Sequence, residues 1–403
     1  MDASSSISIT DVPGVSCASG WIGIKRDERP DAALFICDHE AVFAGVFTTN
    51  QFRSACVESS LMRLHGGKRV RAVLVTSGNA NAGTGLAGRA DTELLAAGVA
   101  KEIGCQADEV IVLHTGVIGV PLHAERLTPR LSALIQSAGS SRVAGMEAAT
   151  AMMTTDTFPK TSVHTMQTAK GSFVIGGVAK GAGMIHPRLA TMLSVIITNV
   201  SIHPVALQKA LHQAAKTSFN AISVDGDTSP NDSVILLATG HDEDVLTEES
   251  PEYEVFIEEL TNVCQDLAKM IVKDGEGATK FIEIAVTGGA SDDDVERIAH
   301  AVSTSTLVKT AFYGEDFNPG RIISAIGRAG AHMDIEQLQV KISEHMVFAD
   351  GACTPVDEQI AKEVMSQAEI MVAINLGVGD CAGTYFTCDL THDYVQINSE
   401  YTT

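Results

Sequence analysis

The residues able to do chemistry sit in a few short blocks. Residues 180–191 read KGAGMIHPRLAT, a lysine followed by two closely spaced glycines, Gly181 and Gly183, and closed by Thr191. Glycines at those positions let the backbone turn tightly or approach a ligand closely. Taken alone the run reads as a glycine-rich turn between two strands, with Thr191 the first residue of the second. Lys180 could pair with a substrate carboxylate or be a solvated surface lysine. No G-x-G-x-x-G between a strand and a helix is found there, so a dinucleotide fingerprint is excluded. Residues 114–119 (HTGVIG) offer the hydroxyl of Thr115 and the N–H of Gly116, donors of the kind that stabilise a tetrahedral oxyanion. The plainer reading is a polar turn at a strand end. Residues 154–160 (TTDTFPK) and 274–280 (DGEGATK) add hydroxyls, lysines and Glu276, which by itself is an ordinary surface acid. Residues 223–233 (SVDGDTSPNDS) bring Asp225, Asp227 and Asp232 together. Such carboxylate density suits a hard metal ion, but Leu236 stands where a calcium loop needs its closing glutamate. A network of Asx hydrogen bonds accounts for the acids without a metal.

In this order the blocks resemble those of the ornithine acetyltransferase family, also called glutamate N-acetyltransferase. The run from Lys180 to Leu193 is similar to its K-G-x-G-M-I-x-P-x-M-A-T-M signature. Residues 77–85 (SGNANAGTG) resemble N-x-G-N-A-N-A-C-T-G, with Gly83 where Cys is common, and 114–119 resemble S-T-G-V-I-G. The TTDTFPK, SVDGDTSPNDS and DGEGATK blocks match in turn. Residues 308–330 are similar to V-K-T-A-x-x-G-x-D-P-N-W-G-R-I, with Phe317 and Pro319 in place of Pro and Trp. The end, YVQINSEYTT, resembles Y-V-x-I-N-x-x-Y-x-T, with Thr402 replacing a common Arg and so removing a positive charge.

The resemblance implies self-cleavage between Ala190 and Thr191, which makes Thr191 the nucleophile. It implies an oxyanion hole of Thr115 and Gly116 and substrate contacts from Thr154, Lys180, Glu276, Asn398 and Thr403, with Glu276 on the substrate's ammonium group. The implied reaction moves acetyl from N2-acetyl-L-ornithine to L-glutamate through an acetyl-Thr191 ester, in arginine biosynthesis. No metal or organic cofactor is needed, and some members also take acetyl from acetyl-CoA. The implied fold is α/β, layered sheets packed between helices, with N-terminal-nucleophile chemistry. The chain divides into an α piece, residues 1–190, and a β piece, residues 191–403. Their strands must interleave, because Thr115 and Gly116 have to reach Thr191. The usual assembly is an α2β2 heterotetramer. Three alternatives stand beside this reading: an acetyltransferase of a specialised pathway, an N-terminal-nucleophile amidohydrolase that passes the acyl group to water, and an uncut binding protein.

The chemistry of an N-terminal threonine supports the implied role independently. A threonine hydroxyl is a weak nucleophile near neutrality. A free α-amine, with an ordinary pKa of about 7.7–8.0, can take its proton directly or through water. An internal threonine has only an amide there, so cleavage itself would create the catalytic base.

Behind these blocks the sequence alternates short β-like runs with helical ones. Residues 70–76, 110–113, 172–179, 192–198, 281–286, 339–343 and 370–376 read as strands by their β-branched content. A helix with Leu94, Leu95, Val99 and Ile103 on one face ends at Gly104, a candidate C-cap. Pro204 opens a helix whose stripe is Leu207, Leu211 and Ala215. After Pro251 a longer helix repeats Phe256, Leu260, Val263, Leu267 and Ile271, and another lies near 356–365. The acidic stretch 239–252 reads as a surface loop. The 403 residues are 45% hydrophobic and 19% charged, enough for a sizeable core. Fifty acids against 28 bases leave a net charge of −22, which repels nucleic acid and anionic membrane. Eight scattered cysteines without a C-x-x-C pair read as buried, reduced thiols. The N-terminus lacks a signal-peptide pattern and no apolar run reaches about 18 residues, so a cytoplasmic enzyme is expected. His114 and His186 read as satisfied structural histidines.

Overall fold

The computed structural model describes residues 7–168, 171–186, 192–242 and 244–400. The expectations for Ala190, Thr191, Thr402 and Thr403 lie outside these residues. In chain order the strands are β1 (Val15–Gly20), β2 (Ala32–Phe47), β3 (Val70–Asn79), β4 (Val110–Val117), β5 (Lys160–Thr168), β6 (Gly171–Lys180), β7 (Leu193–Thr198), β8 (Ile222–Ser223), β9 (Ser233–Ala238), β10 (Phe281–Gly289), β11 (Gln339–Ile342), β12 (His345–Ala349), β13 (Ala352–Cys353), β14 (Glu369–Asn375) and β15 (Cys381–Cys388). The helices are α1 (Ala55–His65), α2 (Gly85–Ile103), α3 (Leu131–Gln136), α4 (Arg142–Ala151), α5 (Pro204–Lys216), α6 (Tyr253–Lys273), α7 (Asp292–Ser303), α8 (Thr306–Tyr313), α9 (Pro319–Gly327), α10 (Glu358–Met365) and α11 (His392–Glu400).

The strands form two sheets among the described residues. The first runs β4-β3-β2-β9-β7-β6-β5, with β1 paired to β2. The second runs β13-β12-β11-β14-β10-β15-β8. Strands β7 and β9 are buried along their whole length, which explains their unbroken aliphatic character. Helices α5 and α6 cover one face of the first sheet. Their Leu207, Leu211, Phe256, Leu260 and Leu267 join Ile196 and Leu236 of that sheet and Phe281 and Phe386 of the second in one core cluster. The opposite face packs on Ala148, Ala149 and Ala151 of α4. The second sheet meets α7, α9 and α10 through Ile298, Ile322 and Val364. Sheets are therefore layered with helices, as expected.

Several local expectations change. Strands β3 and β4 continue through Asn79 and Val117, so the SGNANAGTG and HTGVIG blocks begin inside strands rather than in turns. Leu94 is exposed while Leu95 and Val99 are buried, because α2 packs on its small residues Gly88, Thr92, Ala96 and Ala100. Gly104 does close that helix in the left-handed region, at φ +75°. The acidic loop is not wholly superficial: Leu246 is buried and bridges Ile202. All eight cysteines are free, but Cys353 is exposed and Cys105 and Cys381 are half-buried. Pro319 takes the first turn of α9 behind the N-cap Asn318, where a missing N–H is harmless. Among the described residues no helix is long and apolar enough to cross a membrane.

Strand β5 is pinned to α6 by an ionic clamp. His164 presents Nδ1 to Glu259 at 2.9 Å and Nε2 to Asp266 at 3.0 Å. Burial alone lowers the imidazole pKa, but the Asp266 and Glu259 carboxylates outweigh it and the net shift is upward. The clamp therefore stabilises the fold fully below the unfolded value of about 6.5 and is lost as pH rises through the raised folded value. Urea midpoints of wild type and His164→Gln should differ at mildly acidic pH and converge at alkaline pH.

Candidate active site

The site lies along one end of the first sheet. Pairing puts Phe47 of β2 opposite Ser233 of β9, Ser233 opposite Leu193 of β7, and Leu193 opposite Lys180 of β6. The parallel pair β3 and β4 brings Thr115 and Gly116 beside Ser77 and Gly78. Gly116 has φ +130°, and a Cβ on it would collide with the Gly78 backbone. Only glycine allows that approach and leaves the backbone N–H so oriented.

Lys180 is not the solvated residue that its type alone suggests. It is 2% exposed, and its ammonium donates to Thr115 Oγ1 at 3.3 Å. An ammonium can only donate, so Thr115 accepts and its own hydroxyl proton remains available for another acceptor. Behind Lys180 runs a buried string of alternating charges. Lys180 Nζ lies 3.9 Å from Asp156 Oδ2, Lys160 Nζ 2.7 Å from Asp156 Oδ1, and Lys160 Nζ 2.5 Å from Asp274 Oδ2. Asp156 also accepts the N–H of Gly181 at 2.6 Å and of Thr154 at 3.0 Å. Asp274 accepts from the Thr157 N–H and hydroxyl. Burial pushes the Asp156 carboxyl up, but Lys180 and Lys160 outweigh it and hold it well below the usual range. Burial lowers the Lys180 pKa, against the pull of Asp156.

Glu276 follows α6. Its N–H donates to Ala182 O at 2.9 Å, and its Oε2 accepts from Asn398 Nδ2 of α11 at 2.7 Å. A Cβ on Gly183 would fall within the Glu276 carboxylate, so this second glycine makes room for the acid. Asp225 accepts the N–H of Met184 at 2.5 Å and of Ile185 at 2.9 Å, and Tyr394 donates to it at 3.3 Å. Burial raises the Asp225 pKa. The acids of residues 223–233 thus do make Asx-type bonds, but they reach across to the segment before Pro187 as well as within their own turn. Among the described residues no group of three His, Cys, Asp or Glu side chains could hold a metal ion.

Thr115, Gly116, Thr154, Lys180, Glu276 and Asn398 all line one cavity of about 210 Å3, with Thr155, Asp225, Ser229, Asn231 and Tyr394. Six positions singled out from blocks far apart in the chain are thus gathered at one place. A larger cavity of about 820 Å3 lies beyond Thr48, with a largely apolar lining and none of these six residues. His114 is buried beneath the site, its Nδ1 2.7 Å from Thr76 Oγ1 and its Nε2 3.3 Å from Thr92 Oγ1. Burial lowers its pKa to about 3, so it stays neutral and structural, as expected. His186 meets His300 of α7, with Nε2 atoms 3.1 Å apart.

The ArgJ family model matches residues 16–403. The chain belongs to the ArgJ family. It is 45% identical to the arginine biosynthesis bifunctional protein ArgJ of Syntrophotalea carbinolica over 97% of this chain and 99% of that protein. It is 43% identical to the protein of the same name from Chlorobaculum tepidum, over 96% and 94%. The crystal structure of arginine biosynthesis bifunctional protein ArgJ from Bacillus halodurans is 41% identical, with a TM-score of 0.51, covering 52% of this chain and all of that one. The ornithine acetyltransferase resemblance of the sequence blocks is therefore membership, and the chain is an acetyltransferase of arginine biosynthesis.

Asp156, Lys160 and Asp274 were quoted inside the sequence blocks but carried no role there. Their one-dimensional signal was the Asp–Lys spacing of four in TTDTFPK, which means nothing until the backbone folds back on Lys180. Removing Asp156 takes the carboxylate from buried Lys180 and leaves Lys160 with Asp274 alone. Asp156→Ala should therefore cost about 3–5 kcal/mol, measured by urea unfolding, far more than loss of an exposed acid.

Proposed function

We propose that this ArgJ family member transfers acetyl from N2-acetyl-L-ornithine to L-glutamate through an ester on Thr191. The observation that carries the reading is the convergence of Thr115, Gly116, Thr154, Lys180, Glu276 and Asn398 on one cavity. In this reading the chain cuts itself between Ala190 and Thr191. The new α-amine takes the Thr191 hydroxyl proton as Oγ attacks the acetyl carbonyl. The Thr115 hydroxyl and the Gly116 N–H bind the developing oxyanion, and the amine returns its proton to the departing ornithine nitrogen. Glutamate's amine then attacks the ester and leaves as N-acetylglutamate. Glu276 holds the substrate ammonium group, while Lys180, Thr154, Asn398 and Thr403 complete the substrate contacts.

The two pieces, residues 1–190 and 191–403, remain one body because their strands share a sheet. Support comes from the Bacillus halodurans chain, all of which matches 52% of this one, about the share that residues 191–403 make up. We read the assembly as an α2β2 heterotetramer in the cytoplasm. The chemistry as written needs no metal or organic cofactor, and acetyl-CoA is read as a second acetyl donor, in keeping with the word bifunctional in the relatives' names.

The test has two stages. The purified 42.4 kDa chain should run, denatured, as pieces of roughly 20 and 22 kDa, in proportion to their lengths. Thr191→Ala should stay whole. A well-folded wild type that stays whole would remove the catalytic base and the reading with it. Turnover of N-acetylornithine should require glutamate, whereas glutamate-independent release of acetate would make the enzyme an amidohydrolase. In the processed enzyme, Thr115→Ala should lose about 10²–10³-fold in kcat. Glu276→Gln should weaken substrate binding about tenfold or more, as expected for a lost charge-assisted hydrogen bond, read as a rise in KM.

A further inference from the structure

Asn231 lines the same cavity as Thr115 and Gly116 but has no part in the reaction as proposed. It sits in the turn before β9 and is 3% exposed. Nearly all of its polar atoms are spent on the protein. Its Nδ2 donates to Ala80 O at 2.6 Å, just past the end of β3, and to His114 O at 2.8 Å, within β4. Its backbone N–H donates to Ser229 Oγ at 3.1 Å, and its carbonyl accepts from Ser233 Oγ at 2.9 Å. Only Oδ1 is left over. It is buried and has no hydrogen-bond partner among the described residues.

The contacts fix which way the side-chain amide faces. Two carbonyl oxygens can be met only by N–H groups, so turning the amide over would set oxygen against oxygen twice. Oδ1 therefore faces away from the two carbonyls, and it is the polar atom this residue has left to offer a ligand. A buried acceptor without a donor is costly and calls for a reason. In a residue that lines a substrate cavity, the missing donor is the ligand's own.

The place of Asn231 narrows what that donor is. The His114 carbonyl it holds is bonded directly to the Thr115 nitrogen, so its amide lies beside the proposed oxyanion donors. An acetyl group whose oxygen meets Thr115 and Gly116 brings the nitrogen bonded to the same carbon to this end of the cavity. That nitrogen is neutral, an amide in the donor and a free amine at the moment it attacks. A carboxylate beside it would favour the protonated, unreactive amine. Glu276 and Asp225, the acids of the cavity, suit an ammonium group; an uncharged amide oxygen suits a neutral N–H.

We propose that Asn231 is a substrate-contacting residue whose Oδ1 accepts the N–H of the nitrogen that carries the acetyl group. The inference rests on the acetyl-transfer reading and adds to it the acceptor that reading lacks. Oδ1 holds the amide of the donor with its carbonyl toward Thr115 and Gly116, and later orients the glutamate amine for attack. The Nδ2 bonds to Ala80 and His114 keep the oxygen in place.

The experiment compares N2-acetyl-L-ornithine with its ester analogue, which carries oxygen in place of that N–H, in processed wild type and Asn231→Ser. Serine is too short to keep the acceptor in place. The expected result is a kcat/KM that falls about tenfold more for the amide than for the ester, because only the amide loses a hydrogen bond. Equal losses on both substrates would make Asn231 a structural brace alone and overturn the inference, as would no loss on either. If Asn231→Ser does not fold or does not cut itself, wild type decides through two inert competitors. These are the methanesulfonamide of ornithine's α-nitrogen, which keeps an N–H, and its counterpart with methylene in place of that N–H. Binding of the sulfonamide about tenfold tighter supports the inference, and equal binding overturns it. A processed wild type that does not turn over N2-acetyl-L-ornithine ends the acetyl-transfer reading, and this inference with it.

Discussion

The structure depends on the insertion of β7 and β9 between β2 and β6. Two strands that follow Thr191 in sequence are held on both sides by strands that precede it, and all four are tied by ladder hydrogen bonds. Breaking the backbone between Lys180 and Leu193 would leave every one of those ladders intact. The same insertion brings the end of β6 and the start of β7 into one row with β9 and β2. A site spanning both sides of that break is therefore framed by the middle of a buried sheet rather than by a mobile loop.

Electrostatics finish what the sheet begins. The whole chain carries a net charge of −22, yet the charges under the site are balanced, two lysines and two aspartates in alternation. In a buried setting an unpaired ammonium would lose its proton or distort the core. Here each charge is flanked by its opposite and the remaining lone pairs are filled by backbone N–H groups. The string positions Lys180 against Thr115 and so determines which way the threonine hydroxyl can donate. The other wall comes from the segment after α6 and from α11: Glu276 and Asn398 meet across the cavity.

Much of this was legible in one dimension. Long aliphatic runs and three-and-four spacings marked β3, β7, β10, α5 and α6 because burial on a face leaves a periodic trace. Short, half-polar strands such as β5 and β15 left no such trace, since their residues alternate between core and clamp. The strand extensions through Thr115 and Gly116 were missed for a similar reason: glycine and threonine signal a turn locally, and only pairing with β3 makes them strand. Gly183 read as turn flexibility, whereas its actual constraint is the carboxylate of a residue far along the chain.

The sequence by itself determined the chemical vocabulary of this protein. The order and content of its blocks named the family and nominated Thr191, Thr115, Gly116 and Glu276 as candidates for its chemistry, because those depend on residue type and on matches along the chain. Only the tertiary structure decided which of them share a cavity, that Lys180 is buried and paired, and that Asp156, Lys160 and Asp274 support it. Burial and pairing are properties of packing between distant segments. A string of letters carries the groups that can ionise, but the fold sets the dielectric and the neighbours that decide what they do.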